Sequence, residues 1–224
     1  MKPHLTIELL QVAAEEFCKH EFPYTSTELF GTDNGKTIGD HIEKKFQEYL
    51  NKTYKYKKGS SSKGLDLPEE HINTDIKTTS SKKPQSSSTF KNAQQKIFGL
   101  GYNLLLFVYD KQDNPQTKAA TLNLIDCTFI SKEKTADYTT THRIRELILK
   151  DGANADDLVA YLNDRNIPAD EITLRTMAEK MLQQAPHQGY LTISNALQWR
   201  LQYSRVVGLT ETVDGISKLT NKNN

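Results

Sequence analysis

The sequence has no apolar run long enough to cross a bilayer, which excludes a helical membrane protein. Met1-Lys2-Pro3-His4 is not followed by a secretory apolar stretch with a cleavage site, so a cytoplasmic protein is expected. Cysteine is scarce. Cys18 and Cys127 have no metal-ligand spacing, and a chain of 224 residues needs no disulfide staple, so both are read as free thiols. Net charge is nearly absent, at +1. That average says nothing about nucleic acid, because a local basic surface can be balanced by acids elsewhere. With 36% hydrophobic and 25% charged residues the composition is that of an ordinary globular protein rather than a disordered one. The length suffices for one sizeable domain, or for a core with an appended subdomain.

What the average hides, the distribution shows. Lys52, Lys55, Lys57, Lys58 and Lys63 precede Gly64-Leu65-Asp66-Leu67, and Lys77, Lys82, Lys83, Lys91 and Lys96 follow. The basic residues crowd around one stretch. With strand periodicity, Ile72, Thr74, Ile76 and Thr78 share one face, and Asn73, Asp75, Lys77 and Thr79 the other. At about 3.3 Å per residue, the Cβ atoms of Asp75 and Lys77 lie roughly 6–7 Å apart. A carboxylate there can hold a metal while the ammonium reaches a water or phosphate oxygen. Asp66 returns to the same place if Pro68-Glu69-Glu70-His71 makes a tight connection.

Asp66 followed by Asp75-x-Lys77 resembles the core motif of the PD-(D/E)xK nuclease superfamily, and the flanking sequence looks most like a type II restriction endonuclease. The resemblance covers residues 35 to 130; one departure is Leu65 where the family name has Pro. It implies Mg²⁺-dependent hydrolysis of a double-stranded DNA phosphodiester in a restriction-modification system. Mg²⁺ prefers oxygen ligands, which Asp66, Asp75 and the backbone carbonyl of Ile76 supply. Lys77 then orients or deprotonates the attacking water and stabilises developing negative charge. The resemblance also implies a homodimer, since a two-fold protein can cut both strands of a palindrome, and a companion DNA methyltransferase. A repair or junction-resolving nuclease shares the motif, and a non-catalytic DNA-binding protein is the reading from outside the enzymes.

Around the motif, residues 53 to 63 are rich in Ser and Lys and read as an exposed loop, either a solvated connection or one whose lysines, Lys63 among them, meet phosphate. The polar stretch after Lys77 leaves the same strand end, so Ser80, Lys82, Lys83 and Gln85 are candidates for DNA contact. Gln85 suits adenine and Lys82 or Lys83 guanine, and each of them suits phosphate too. Glu43 sits at the border of an apolar helical face, where the resemblance places an auxiliary acid; an ion pair with Lys44 or Lys45 is the alternative. Gln94 or Gln95 matches a family position that brings an amide to the site, or is simply a surface glutamine.

Along the chain, Leu5 to Cys18 reads as an amphipathic helix with Leu5, Leu9, Val12, Ala13 and Phe17 on its stripe. Thr37 to Asn51 reads as a second, with Ile38, Ile42, Phe46, Tyr49 and Leu50 inward. A third helix is expected from a Ser88 or Thr89 cap to Gly99. Asn103 to Tyr109 reads as a strand buried on both faces and Ala119 to Ile130 as another, with Asp126 an edge residue or a hydrogen-bonded buried acid. These segments give an α/β (α+β) mixed sheet flanked by helices over residues 1–135, the order that the resemblance implies for a restriction-endonuclease-like core.

Residues 136–208 form a predicted helical subdomain for DNA recognition or dimerisation, with helices at His142 to Lys150, Asp156 to Asp164, Asp170 to Gln184 and Thr192 to Val207. Arg143 near one helix start, and Asn195 and Arg200 on the last helix, are of the types that make bidentate base contacts. The same last helix has a core face of its own. Residues 209–224 read as a frayed tail.

Overall fold

The computed structural model describes residues 2–59, 64–88, 90–194 and 200–220. In chain order the elements begin with α1 (Ile7–His20), β1 (Tyr24–Ser26), α2 (Gly35–Thr53), β2 (Thr74–Ser80), β3 (Gln85–Ser87) and α3 (Gln95–Phe98). A long hairpin of β4 (Asn103–Asn114) and β5 (Ala119–Ile130) follows, then α4 (Tyr138–Leu149), α5 (Ala155–Asp164) and α6 (Glu171–Gln183). The last elements are β6 (Thr192–Ile193), β7 (Arg200–Gln202), α7 (Ser204–Val207) and β8 (Ile216–Lys218). The chain divides into one unit of Met1–Ser86, Asn103–Ile130 and Val207–Asn224, and a second of Ser87–Tyr102 and Ser131–Val206.

The first unit is a mixed sheet flanked by helices, the architecture expected of a restriction-endonuclease-like α+β fold. Its strand order is β1-β5-β4-β2, with β8 added to β5. β2 runs parallel to β4, and β4, β1 and β8 each pair antiparallel with β5. Leu104 to Val108 are fully buried, which is why that run is apolar without alternation: both faces of β4 are covered.

α1 starts where the Thr6 hydroxyl accepts from Leu9 N, and it buries Leu10, Ala13, Ala14, Phe17 and Cys18. Val12, expected on the stripe, is half exposed at 51%. Two residues past Leu10 is about 200° around a helix, so Val12 points to the opposite side. α2 is capped by Asn34, whose side chain accepts from the amides of Lys36 and Thr37, and it buries Ile38, Ile42, Phe46 and Leu50. Phe46 lies between Phe17 and Phe107, with ring centroids 5.0 Å away in each case. Cys18 and Cys127 are free thiols, both buried. Asp126 resolves as a buried acid: it accepts from Thr128 Oγ1 at 2.6 Å and pairs with Lys218.

In the second unit, α4, α5 and α6 start at Asp137, Asn154 and Asp170, whose side chains accept from amides of the first turn. Ile97, Ile144, Leu158, Leu162, Leu174, Met177 and Met181 form its core. α5 and α6 agree with the sequence reading to within one residue, while α4 starts four residues earlier than His142.

Three expectations are corrected. The third helix is only Gln95–Phe98, because the Gln95 side chain accepts from Lys91 N (2.6 Å) and donates to the Leu100 carbonyl (2.8 Å), bracing a loop. Gly99 ends it at φ 88°, where a Cβ would come within 2.6 Å of the Lys132 carbonyl. Thr192 to Val207 is not one helix: Thr192–Ile193 and Arg200–Gln202 pair antiparallel, and among the described residues there only Ser204–Val207 is helical. Around the two strands Leu191, Ile193, Leu201 and Tyr203 are buried, an alternation by two, and a sequence stripe through 193, 197 and 201 fits a helix equally well. The segment after 208 is not merely a tail, since Ile216–Lys218 pairs with Thr128–Ile130. Among the described residues no helix is long and apolar enough to cross a membrane.

Candidate active site

β2 is the last strand of its sheet, so one edge is free of β4. A short return closes on that edge. Leu67 and Thr74 exchange both backbone hydrogen bonds at 3.0 Å, and the amides of Ile72 and Asn73 donate to the Glu69 carbonyl. Asn73 turns the chain at φ 40°, a conformation asparagine tolerates better than most residues. Pro68 to Asn73 is thus the tight connection the sequence suggested.

The return places Asp66 against the strand: its Oδ2 accepts from Ile76 N at 2.9 Å. The N–H and C=O of one strand residue point to the same side. The Ile76 carbonyl therefore also faces the Asp66 edge rather than β4. On the adjoining face, Lys77 Nζ lies 2.6 Å from Asp75 Oδ2. Asp75 is nearly buried, at 3% exposure.

The electrostatics tie these groups to Glu43 of α2. Burial pushes the Asp75 carboxyl up to about 7; Lys77 opposes the shift and the neighbouring Asp66 adds to it. Burial likewise raises Glu43 to about 7, reinforced by Asp66 and opposed by Lys77 and Thr78. Four groups therefore share one field: Glu43, Asp66, Asp75 and Lys77. One of the two alternative partners for Glu43 is engaged elsewhere, since Lys45 pairs with Glu21 at 3.1 Å and lies over the Tyr24 ring.

This has a consequence for stability in solution free of divalent ions. Between the ordinary carboxylate range and pH 7 the folded chain holds protons on Glu43 and Asp75 that the unfolded chain has released, so stability falls as pH rises. The stabilisation is present below about pH 4 and is lost as pH passes 7. The loss is on the order of 3–4 kcal/mol for each group. Thermal melts at pH 5 and pH 8 should show a higher midpoint at pH 5, with a shallower dependence in Glu43→Gln. Equal slopes in the two proteins would contradict the placement of Glu43.

A cleft of about 730 Å³ opens at the C-terminal end of β2. Ser80, Lys82, Lys83 and Gln85, all singled out from sequence, line it together with Asp33 and Tyr109, which were not. Glu43, Asp66, Asp75 and Lys77 do not line it; Thr78, next to Lys77, is where it adjoins them. Asp33 and Tyr109 come from a loop and a second strand, so no local pattern marks them.

The other sequence candidates belong to the second unit or fall outside the described residues. Gln95 spends both ends of its amide on its own loop, and Gln94 stands half-buried at the start of α3. Arg143 is exposed and pairs with Glu146 and Asp151; Arg200 is exposed on β7. Lys63 and Asn195 lie outside the described residues.

Among the described residues no three His, Cys, Asp or Glu side chains form a metal cage. The donor set here is different in kind: two carboxylates, Asp66 and Asp75, and one backbone carbonyl. Oxygen donors alone suit a hard cation such as Mg²⁺, which keeps several waters of its own. Two acids pressed together by the fold, one of them pushed up to about 7, are the arrangement that a divalent cation would relieve.

Comparison with known proteins adds two findings. A family model described as type II restriction enzyme NspV matches residues 4–218. The curated type II restriction enzyme NspV of Nostoc sp. (strain ATCC 29411 / PCC 7524) is 48% identical over 212 residues, which cover 95% of each chain. No solved structure matches.

Proposed function

Because the chain belongs to the family of the type II restriction enzyme NspV, and is a site-specific endodeoxyribonuclease, we propose that it cuts duplex DNA with Mg²⁺ held by Asp66, Asp75 and the Ile76 carbonyl. When bound, the ion supplies Lewis acidity and positive charge beside the phosphate. The rest is the work of the chain's own groups. Lys77, anchored on Asp75 at 2.6 Å, presents an ammonium that orients the attacking water and donates to the phosphate oxygens as negative charge builds. Asp66 is fixed by the Ile76 amide, which donates to its Oδ2, and its carboxylate interacts with that of Asp75. Glu43 acts as an auxiliary acid from α2, setting the charge of the group without holding the ion.

The observation that carries this reading is the return of Asp66 onto Ile76, between two residues whose side chains are already paired. Residues 136–208 serve recognition or dimerisation in this account, with Arg143 and Arg200 among the exposed cations available to DNA. A homodimer cuts both strands of a palindrome, and a companion methyltransferase protects host DNA in the cytoplasm.

The test is digestion of a long duplex of known sequence. Discrete fragments with Mg²⁺ and none with EDTA are expected, and ends at positions related by two-fold symmetry support the dimer. Cutting that is undiminished in EDTA would sink the metal assignment, and asymmetric ends would count against the dimer.

A further inference from the structure

We propose that the cleft at the end of β2 reads base edges beside the scissile phosphate, through Gln85 and Asp33, and that Thr79 is the positioning residue that sets Gln85 for this. The proposal rests on the nuclease reading above and adds to it the residues that choose the sequence.

The first observation is the mixed chemistry of the lining. A groove that follows phosphates needs cations throughout. Here Lys82 and Lys83 share the cleft with Asp33 and Asp113. Asp113 is already neutralised, by Lys111 Nζ at 2.5 Å and by the Gly31 amide at 3.3 Å. Asp33 is exposed and has no ion-pair partner among the described residues. A free carboxylate repels a phosphate but accepts from the exocyclic amine of cytosine, just as a glutamine amide matches the edge of adenine.

The second observation is how Gln85 is held. Thr79 Oγ1 accepts from Gln85 N at 2.9 Å and lies 3.1 Å from the Gln85 carbonyl and 3.3 Å from that of Lys83, to either of which it can donate. Ser81 N donates to the Tyr109 carbonyl at 2.9 Å, tying the same turn to β4. The backbone of Gln85 is thus fixed. Its side-chain amide makes no hydrogen bond to the described residues and stands at the cleft, ready for another partner.

The third is the position of Thr79 itself. It is 5% exposed and falls, by strand alternation, on the face that carries Asp75 and Lys77. One step of about 6–7 Å separates it from Lys77, within a few base-pair steps along a duplex. A base seated wrongly against Gln85 strains the turn, and the turn is pinned to the strand that bears the lysine.

The experiment uses the full chain and short duplexes carrying the mapped wild-type site, with versions altered at one base pair each. Discrimination is the ratio of kcat/KM between the intact and altered sites. Gln85→Ala should lower it about 10–100-fold at one position of the site, the loss of one bidentate contact. Thr79→Val should reproduce that loss, and Thr79→Ser, which keeps the hydroxyl, should restore it. If Gln85→Ala slows every duplex by the same factor, the residue holds backbone and the proposal falls. It falls equally if Thr79→Val discriminates as well as Thr79→Ser. Failure of wild type to give discrete fragments would overturn the nuclease reading beneath it, and would be seen before any variant is made.

Discussion

Lys77→Ala should cut duplex DNA roughly 10³–10⁴-fold more slowly than the parent chain, the range for losing a positioned proton-transfer or charge-stabilising group. Asp75→Ala should do the same for a different reason, by removing both a proposed ligand and the anchor of the Lys77 ammonium. Neither change should weaken DNA binding measured in EDTA by much. Replacing Asp75 removes negative charge near the phosphates, and Lys77 is one cation among many. Retained binding also shows that the variants fold, which matters because Lys77→Ala leaves a carboxyl at 3% exposure without its partner. That group is already raised to about 7, so it takes up a proton rather than staying charged and buried. Asp66→Ala should match the two, while Glu43→Ala should lose only part of the rate. A Lys77→Ala or Asp75→Ala protein that cuts at the parent's rate with metal present would end the assignment.

Those residues were legible in sequence because their placement is local. Alternation along Thr74–Ser80 sets Asp75 and Lys77 on one face, and a short return from Asp66 needs only Pro68 to Asn73 to turn. The burial of Leu104 to Val108 on both faces and the apolar face of α2 were legible for the same reason, since one period repeats for several residues. What escaped reading depends on partners distant in the chain. Ile216–Lys218 looks like a polar tail until Thr128–Ile130 is beside it, and Lys218 meets its acid at Asp126. Asp33 and Tyr109 share a cleft with Gln85 only after the sheet has formed. The hairpin of Thr192–Ile193 with Arg200–Gln202 was hidden by ambiguity, as its apolar residues fit two periods and only pairing selects one.

Phe46→Ala should be the most damaging single change to the scaffold. The side chain is fully buried, with Phe17 and Phe107 rings each centred 5.0 Å away. Truncation removes the transfer energy of a phenyl ring and leaves a cavity that two rigid neighbours cannot fill, at a cost of about 3–5 kcal/mol. In a chain of this length that corresponds to a drop in Tm on the order of 10 °C. Ile172→Ala is the matching control, since Ile172 is 81% exposed and its loss should move Tm very little. Phe46 lies one helical turn beyond Glu43, and the two residues separate support from chemistry. Phe46→Ala assayed well below its own Tm should still cut, because α2 keeps its Asn34 cap and its other buried residues. Glu43→Ala should melt near the parent's temperature and cut less. If Phe46→Ala left Tm unchanged, the aromatic cluster would not be the support on which the edge of the sheet proposed as the active site rests.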